Sequence, residues 1–328
     1  MKVALIGGAG FVGHHLALAL KARGDEPIVY DSLTVNNFCS LVEKSEGRWP
    51  REWTNMTVER INLLHDNKIP LIHCDARDYH RLSIELAARR PDSIVHLAAV
   101  AHIDRSNKDP QTTFDHSLRT LENALDVGRA IGAGRFLYFS SSTAYGPFQS
   151  PEIDETHPLQ PQGVYGSLKA AGEYIVRAYQ TAYGLPCTII RPQALYGPRC
   201  VSGRVIQKFI ETALDQGVIR IEGDGSAVHD FTEISDLVDG ILLVLDNPKA
   251  ANETFNITTG QARSLMALAL TVTFHVPCQV EKGPENPEKP SRGTMKIDKA
   301  KQLLGYEPKW TLEDGVERYI QWYRDFLA

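Results

Sequence analysis

The sequence predicts an α/β protein, a doubly wound parallel sheet carrying a smaller C-terminal α/β lobe. Three observations point there. Short apolar runs alternate with longer amphipathic ones through the first half, the pattern of repeated βαβ units. A glycine-rich turn, Gly7-Gly8-Ala9-Gly10-Phe11-Val12-Gly13, joins the first apolar run to the first amphipathic one. After Pro192 the texture changes to separate helical patterns, turns and a charged, proline-rich stretch at 281–293.

Taken in order, Val3–Ile6, Pro27–Asp31, Ile69–Asp75, Ser93–Ala98, Arg135–Ser141 and Cys187–Arg191 read as strands. Runs this apolar suit strands buried on both faces. Phe11–Arg23, Tyr79–Arg89 and Thr112–Ile131 show helical spacing between them. Residues 36–68 form a connection too long for a simple βα turn, with Trp49-Pro50, Trp53 and mixed charge. It reads as a surface excursion with short helices, or else as a loop over a cleft. Further on come a helix at 203–216, a turn at Gly223-Asp224-Gly225, a helix at 235–246 and a closing amphipathic helix, Thr311–Leu327. The expected division places 1–191 and 233–258 in the sheet domain, with 192–232 and 259–328 in the second lobe.

Composition narrows the function classes. The 328 residues are 43% hydrophobic and 23% charged, with a net charge of -5, so no basic footprint invites nucleic acid or an anionic membrane. Five scattered cysteines without CxxC spacing argue against a disulfide framework or a zinc site, and no histidine or carboxylate spacing suggests another metal. The chain enters its first strand at once, and no apolar run reaches membrane-spanning length. A cytoplasmic protein is the expectation.

The glycine turn carries the first chemistry. Gly7, Gly10 and Gly13 allow a tight turn, close approach of backbone to a pyrophosphate, and close packing of helix on sheet. The free N–H groups at the helix start, around Phe11 and Val12, would meet the phosphate charge. The spacing is GxxGxxG rather than GxGxxG, so a purely structural turn is the competing reading. Asp31 ends the second strand eighteen residues later, where it can accept bonds from ribose hydroxyls and would repel a 2′-phosphate. NAD in a Rossmann-type sheet is therefore expected. Asp75, ending the third strand, suits either an adenine contact or a helix cap.

Tyr165 and Lys169 stand four residues apart in a helix running to about Tyr183, so they share a face. A phenol titrates at about 10 unperturbed. A neighbouring ammonium favours the phenolate and would bring Tyr165 toward a general base's range. The strand before it ends in the hydroxyl-rich stretch Phe139-Ser140-Ser141-Ser142-Thr143-Ala144-Tyr145-Gly146.

At this point the sequence resembles the extended short-chain dehydrogenase/reductase family, particularly its nucleotide-sugar epimerases and dehydratases. The resemblance spans nearly the whole chain, through GGAGFVG, IVYDSL, HCDARD, HLAAVAHIDRS, FSSSTAYG, YGSLKAAGEY, IIRPQALYGPR, GDGSAVHDFTEISDLVDG and LLGYEPKWTLEDGV. It implies Tyr165 as base, Lys169 as cofactor anchor and Ser141 as the contact to the reacting sugar oxygen. It also implies a dinucleotide site of Gly7, Gly10, Phe11, Val12, Gly13, Asp31, Asp75, Ala76, Leu97, Ala98, Ala99, Tyr165, Lys169 and Pro192. Related dehydratases and decarboxylases place a carboxylate just after the serine contact, whereas Ser142-Thr143 stand here. The implied activity is an NAD-dependent nucleotide-sugar 4-epimerase, oxidising C4 transiently to a ketone and retaining its cofactor. The alternatives are a nucleotide-sugar dehydrogenase or 4-ketoreductase with net cofactor turnover, or a non-catalytic dinucleotide-sensing or scaffold protein. A homodimer through helices Thr112–Ile131 and Tyr165–Tyr183 is implied as well.

Two departures bear on the substrate. His229 replaces the family's usual arginine in His229-Asp230-Phe231, and Ala194 replaces a common asparagine. A histidine grips a diphosphate less well than an arginine's bidentate fork. Arg204, Lys289 and Arg292 are candidate replacements, with Ser142, His102, Gln193 and His229 as further substrate contacts. Asp236 reads as a helix cap, His96 as a structural residue, and Tyr145 as a turn marker open to a ligand contact.

Overall fold

A computed structural model describes residues 1–35, 48–101, 103–284 and 292–328. Its first five strands are β1 (Lys2–Ile6), β2 (Glu26–Asp31), β3 (Leu71–His73), β4 (Ser93–His96) and β5 (Arg135–Phe139). Then come β6 (Glu152–Ile153), β7 (Cys187–Arg191), β8 (Val218–Ile221) and β9 (Val228–Asp230). The last are β10 (Thr254–Asn256), β11 (Ala262–Ser264), β12 (Gln279–Lys282) and β13 (Thr294–Met295). Seven of them form one sheet in the order β3-β2-β1-β4-β5-β7-β10, every pair parallel.

Both faces of that sheet are covered, which explains the apolar strands. Val3 and Leu5 of β1 point into one core with Leu16, Leu20, Leu237 and Ile241 of helices Phe11–Ala22 and Ile234–Asp246. Ala4 and Ile6 point the other way, to Leu82, Leu86, Leu121, Leu125 and Val176 of helices Tyr79–Arg89, Thr120–Ile131 and Gly163–Tyr183. The two-residue period of a strand thus feeds two cores at once. A third core fills the C-terminal lobe, where Phe209, Ile210, Leu268, Val272, Val316 and Ile320 pack around the β8–β12 pair. Two further pairs, β9–β11 and β6–β13, close the lobe onto the sheet domain.

Several expectations change in detail. The helix expected at Thr112–Ile131 starts earlier, at Pro110, capped by the Asp109 carboxylate, which accepts from the Thr112 N–H at 3.1 Å. It is also interrupted by a π-helical turn, Asp115–Arg119, before continuing as Thr120–Ile131. Part of 36–68 lies outside the described residues, but 48–66 is one long helix rather than a surface excursion with short ones. Its inward stripe is Glu52, Met56, Arg60 and Leu64, with Arg60 fully buried. Charged residues at helical spacing on the inner face hid the periodicity. The cap of helix Ile234–Asp246 is Glu233, which accepts from the Ser235 N–H at 2.6 Å. Asp236 instead binds the Lys309 and Trp310 N–H groups at 2.8 and 3.1 Å, tying the chain before the last helix to the sheet domain. Among the described residues no helix is long and apolar enough to cross a membrane.

Candidate active site

The strand order reverses between β1 and β4, so the chains leaving those two strands part to opposite faces and open a crevice at their C-terminal ends. The glycine turn forms one bank. Gly7 has φ +79°, and a Cβ there would lie 2.7 Å from the Ala98 nitrogen. A Cβ on Gly13 would overlap the Gly8 backbone. Gly10 caps helix Phe11–Ala22, with Phe11 and Val12 half-buried in its first turn. Leu97, Ala98 and Ala99 form the other bank, held by the Leu97 N–H donating to the Ile6 carbonyl at 2.8 Å.

Asp31 ends β2 beside this cradle. Its carboxylate accepts from the Ala9 N–H at 3.0 Å and the Leu33 N–H at 2.8 Å. Burial raises its pKa above the usual carboxylate value, and those two N–H groups oppose the shift. Two of its roughly four lone-pair directions are used, leaving acceptor capacity for a diol. Asp75 is not a helix cap: Asp78 caps helix Tyr79–Arg89 through the Arg81 N–H at 2.9 Å. The Asp75 carboxylate pairs with Arg77 at 2.6 Å, which outweighs burial and holds its pKa low. Ala76 is buried, and its carbonyl accepts from the Asn123 side chain at 2.9 Å.

The catalytic candidates meet where β5 and β7 end side by side. Tyr165, Lys169 and Ser141 are all buried. Ser141 caps the turn Ser142–Tyr145, its hydroxyl accepting from the Thr143 N–H at 3.2 Å. Burial raises the Tyr165 pKa above the ordinary phenol value, opposed by the charge of Arg204 and by the Ser141 hydroxyl. The Lys169 ammonium lies over the Tyr165 ring, 5.9 Å from its centre, and donates to the Phe139 carbonyl at 2.5 Å. Burial lowers the Lys169 pKa to about 8, with Glu173 resisting.

Glu173 was not singled out by sequence, although Tyr165, Lys169 and Glu173 form an i, i+4, i+8 stripe that could have revealed it. It is fully buried, accepts from the Ser140 hydroxyl at 2.6 Å and receives Arg191 in a bidentate pair at 2.8 and 2.5 Å. The same Arg191 donates to the Tyr145 hydroxyl at 2.8 Å, and that hydroxyl bonds Asn256 at 2.7 Å. Tyr145 is therefore an interior residue fixing the turn, not a ligand contact. His96 is likewise interior: burial lowers its pKa to about 3, and its ring meets the Thr120 hydroxyl at 3.2 Å.

Of the substrate candidates, several converge on the Ser141 turn. The Ser142 N–H donates to the Pro192 carbonyl at 3.0 Å, and the Ser142 carbonyl accepts from Arg292 at 3.1 Å. Arg292 also reaches the Gly146 carbonyl at 2.8 Å, and burial lowers its pKa to about 10. Arg204 caps helix Val205–Leu214 and donates to the Leu195 carbonyl at 3.4 Å. Gln193 is buried beside them. Ala194 holds φ +42°, a left-handed conformation that asparagine tolerates better than alanine. His229 stands on β9, paired with Arg263 of β11 and against the Phe231 ring. Its neighbour Asp230 is buried and organises Thr258, Thr259 and Gly260, a structural role the sequence did not reveal. His102 and Lys289 lie outside the described residues.

A parallel sheet with a glycine cradle at its switch point and a serine–tyrosine–lysine set at the adjacent strand ends defines an extended short-chain dehydrogenase/reductase that uses NAD. The chain belongs to the NAD dependent epimerase/dehydratase family, whose pattern matches residues 3–258. The chain is 29% identical to UDP-glucuronic acid decarboxylase 4 of Arabidopsis thaliana, over 99% of this chain and 69% of that protein. Among solved structures it resembles the UDP-glucuronic acid 4-epimerase of Bacillus cereus bound to UDP-glucuronic acid and NAD. There the TM-score is 0.88 and the identity 26%, over 99% of each chain. A double mutant of a dTDP-glucose 4,6-dehydratase from Streptomyces venezuelae, with NAD bound, gives a TM-score of 0.86 at 29% identity, over 99% of this chain and 97% of that one.

Proposed function

We propose that the protein is a nucleotide-sugar 4-epimerase. The observation that carries this reading is the turn after Ser141. Ser142 is buried with its backbone bonded on both sides, and Thr143 follows it, so no carboxylate stands there as a second acid or base. The nearby Glu173 is committed to Ser140 and Arg191. Elimination of water or loss of a carboxyl needs more proton-handling groups than this turn provides.

Tyr165 removes the proton from the sugar's C4 hydroxyl and later returns it. Ser141 holds that oxygen and passes the proton along. Arg204 and Arg292 would receive the diphosphate, in the room of the family's usual arginine. Gly7, Gly10, Phe11 and Val12 would hold the dinucleotide pyrophosphate, Asp31 the adenosine ribose and Lys169 the nicotinamide ribose. Bound there, NAD would supply the hydride acceptor and donor for C4. The Tyr165 carrier helix, Gly163–Tyr183, exposes Tyr174, a surface for the homodimer that the family resemblance implies.

Purified protein incubated with UDP-, dTDP-, GDP- and CDP-hexoses, without added cofactor, is expected to give a 4-epimer by NMR. Tyr165→Phe should keep its NAD content and lose about 10²–10⁴-fold in rate. Conversion that consumes added NAD in proportion to product would instead make the protein a dehydrogenase or ketoreductase.

A further inference from the structure

One buried group has no counterpart in the protein. Gln193 is 4% exposed, and neither its amide nitrogen nor its amide oxygen has a hydrogen-bond partner. Buried side-chain amides are nearly always paired, so an amide open at both ends marks a place where something else binds. Its surroundings say where. The preceding carbonyl, Pro192, accepts from the Ser142 N–H at 3.0 Å, joining the segment to the Ser141 turn. Two residues on, the Leu195 carbonyl accepts from Arg204 at 3.4 Å. Ser141, next to Ser142 in that turn, is the candidate contact to the reacting oxygen, and Arg204 is a candidate contact to the diphosphate. Gln193 is thus bracketed by the catalytic machinery on both sides, and the Thr143 hydroxyl in the adjoining turn is also buried and unpartnered.

We propose that Gln193 is a specificity residue that reads a hydroxyl of the substrate's sugar. This rests on the epimerase reading, takes that hydroxyl to be the one at C6, and narrows the substrate to neutral hexoses hydroxylated there. An amide offers a donor and an acceptor side by side. A sugar hydroxyl answers both at once, because it donates and accepts. A carboxylate can accept from the amide N–H but leaves the buried amide oxygen without a donor. A deoxy position answers neither end and leaves the amide unpaired. Sites built to bond a hydroxyl reject analogues lacking it more strongly than apolar pockets reject extra bulk.

The test compares UDP-glucose, UDP-galactose, UDP-glucuronic acid and a UDP-6-deoxyhexose on the wild type, Gln193→Met and Gln193→Glu. The wild type is expected to prefer the neutral hexoses at least about tenfold in kcat/KM. In Gln193→Met that preference should shrink to within about threefold, chiefly through a higher KM for the neutral hexoses. Gln193→Glu should disfavour the uronic acid further. NAD content and thermal unfolding report whether each variant is intact. In the wild type itself, the assigned Gln193 side-chain amide resonances should move on adding UDP-glucose or UDP-galactose. Unmoved resonances, or the same preferences in all three proteins, overturn the proposal while leaving the epimerase reading in place. So does a fall in NAD content with preferences intact, since the amide would then face the nicotinamide carboxamide. Failure of the wild type to epimerise any UDP-, dTDP-, GDP- or CDP-hexose removes both readings.

Discussion

Burial moves Tyr165 and Lys169 in opposite directions, the phenol upward and the ammonium down to about 8. The lysine's stability signature follows from its sign. Its folded pKa lies below the unfolded value, so between pH 8 and 10.5 the unfolded chain binds more protons. Stability therefore rises with pH through that window, and the full penalty of the buried charge is felt below it. A shift of this size corresponds to about 3 kcal/mol. Urea unfolding of wild type and Lys169→Met at pH 7.5 and pH 10 is expected to show the wild type gaining on the variant at the higher pH. The Tyr-x-x-x-Lys spacing was legible as a shared helix face. The buried Glu173–Arg191 pair next to it was not, because Arg191 comes from another strand and only the folded chain brings it to Glu173.

Among the elements, the glycine turn was legible almost completely, since each glycine answers a steric demand rather than a preference. Gly7→Ala would press a methyl group against the Ala98 nitrogen at 2.7 Å and strain a backbone at φ +79°. That variant is expected to lose most of its bound NAD, measured by absorbance of the denatured protein's supernatant, and to unfold at a lower temperature than wild type. The helix at 48–66 was illegible for the opposite reason. Sequence periodicity separates apolar from polar faces, and here Glu52 and Arg60 sit on the buried one. Arg60's partner, the Arg199 carbonyl that accepts from it, lies far along the chain. The π-helical turn at Asp115–Arg119 carries no sequence mark of its own.

At the scale of the whole molecule, the doubly wound sheet was readable from the alternation of strand and helix, and its switch point from the glycine turn. The short pairs β6–β13, β8–β12 and β9–β11 were not, because strands of two to four residues are too brief for a periodic signal. Tyr174 is 64% exposed on helix Gly163–Tyr183, one of the two helices the proposed homodimer would pair. Light scattering is expected to return twice the 36.5 kDa of one chain. Tyr174→Glu should shift the population toward monomer, with a charge placed in that interface. A monomeric wild type at micromolar concentration would remove the dimer.

The carboxylate of Asp31 does two jobs, and this matters to anyone redesigning the protein's coenzyme choice. Replacing such an acid with a small residue to admit a 2′-phosphate treats it as a selectivity filter alone. Here it is also a brace, holding the Ala9 and Leu33 N–H groups and so the shape of the turn itself. Asp31→Ser is expected to weaken NAD binding without a matching gain for NADP, as calorimetric titration with both would reveal. A successful redesign has to rebuild the turn's support before it alters the charge.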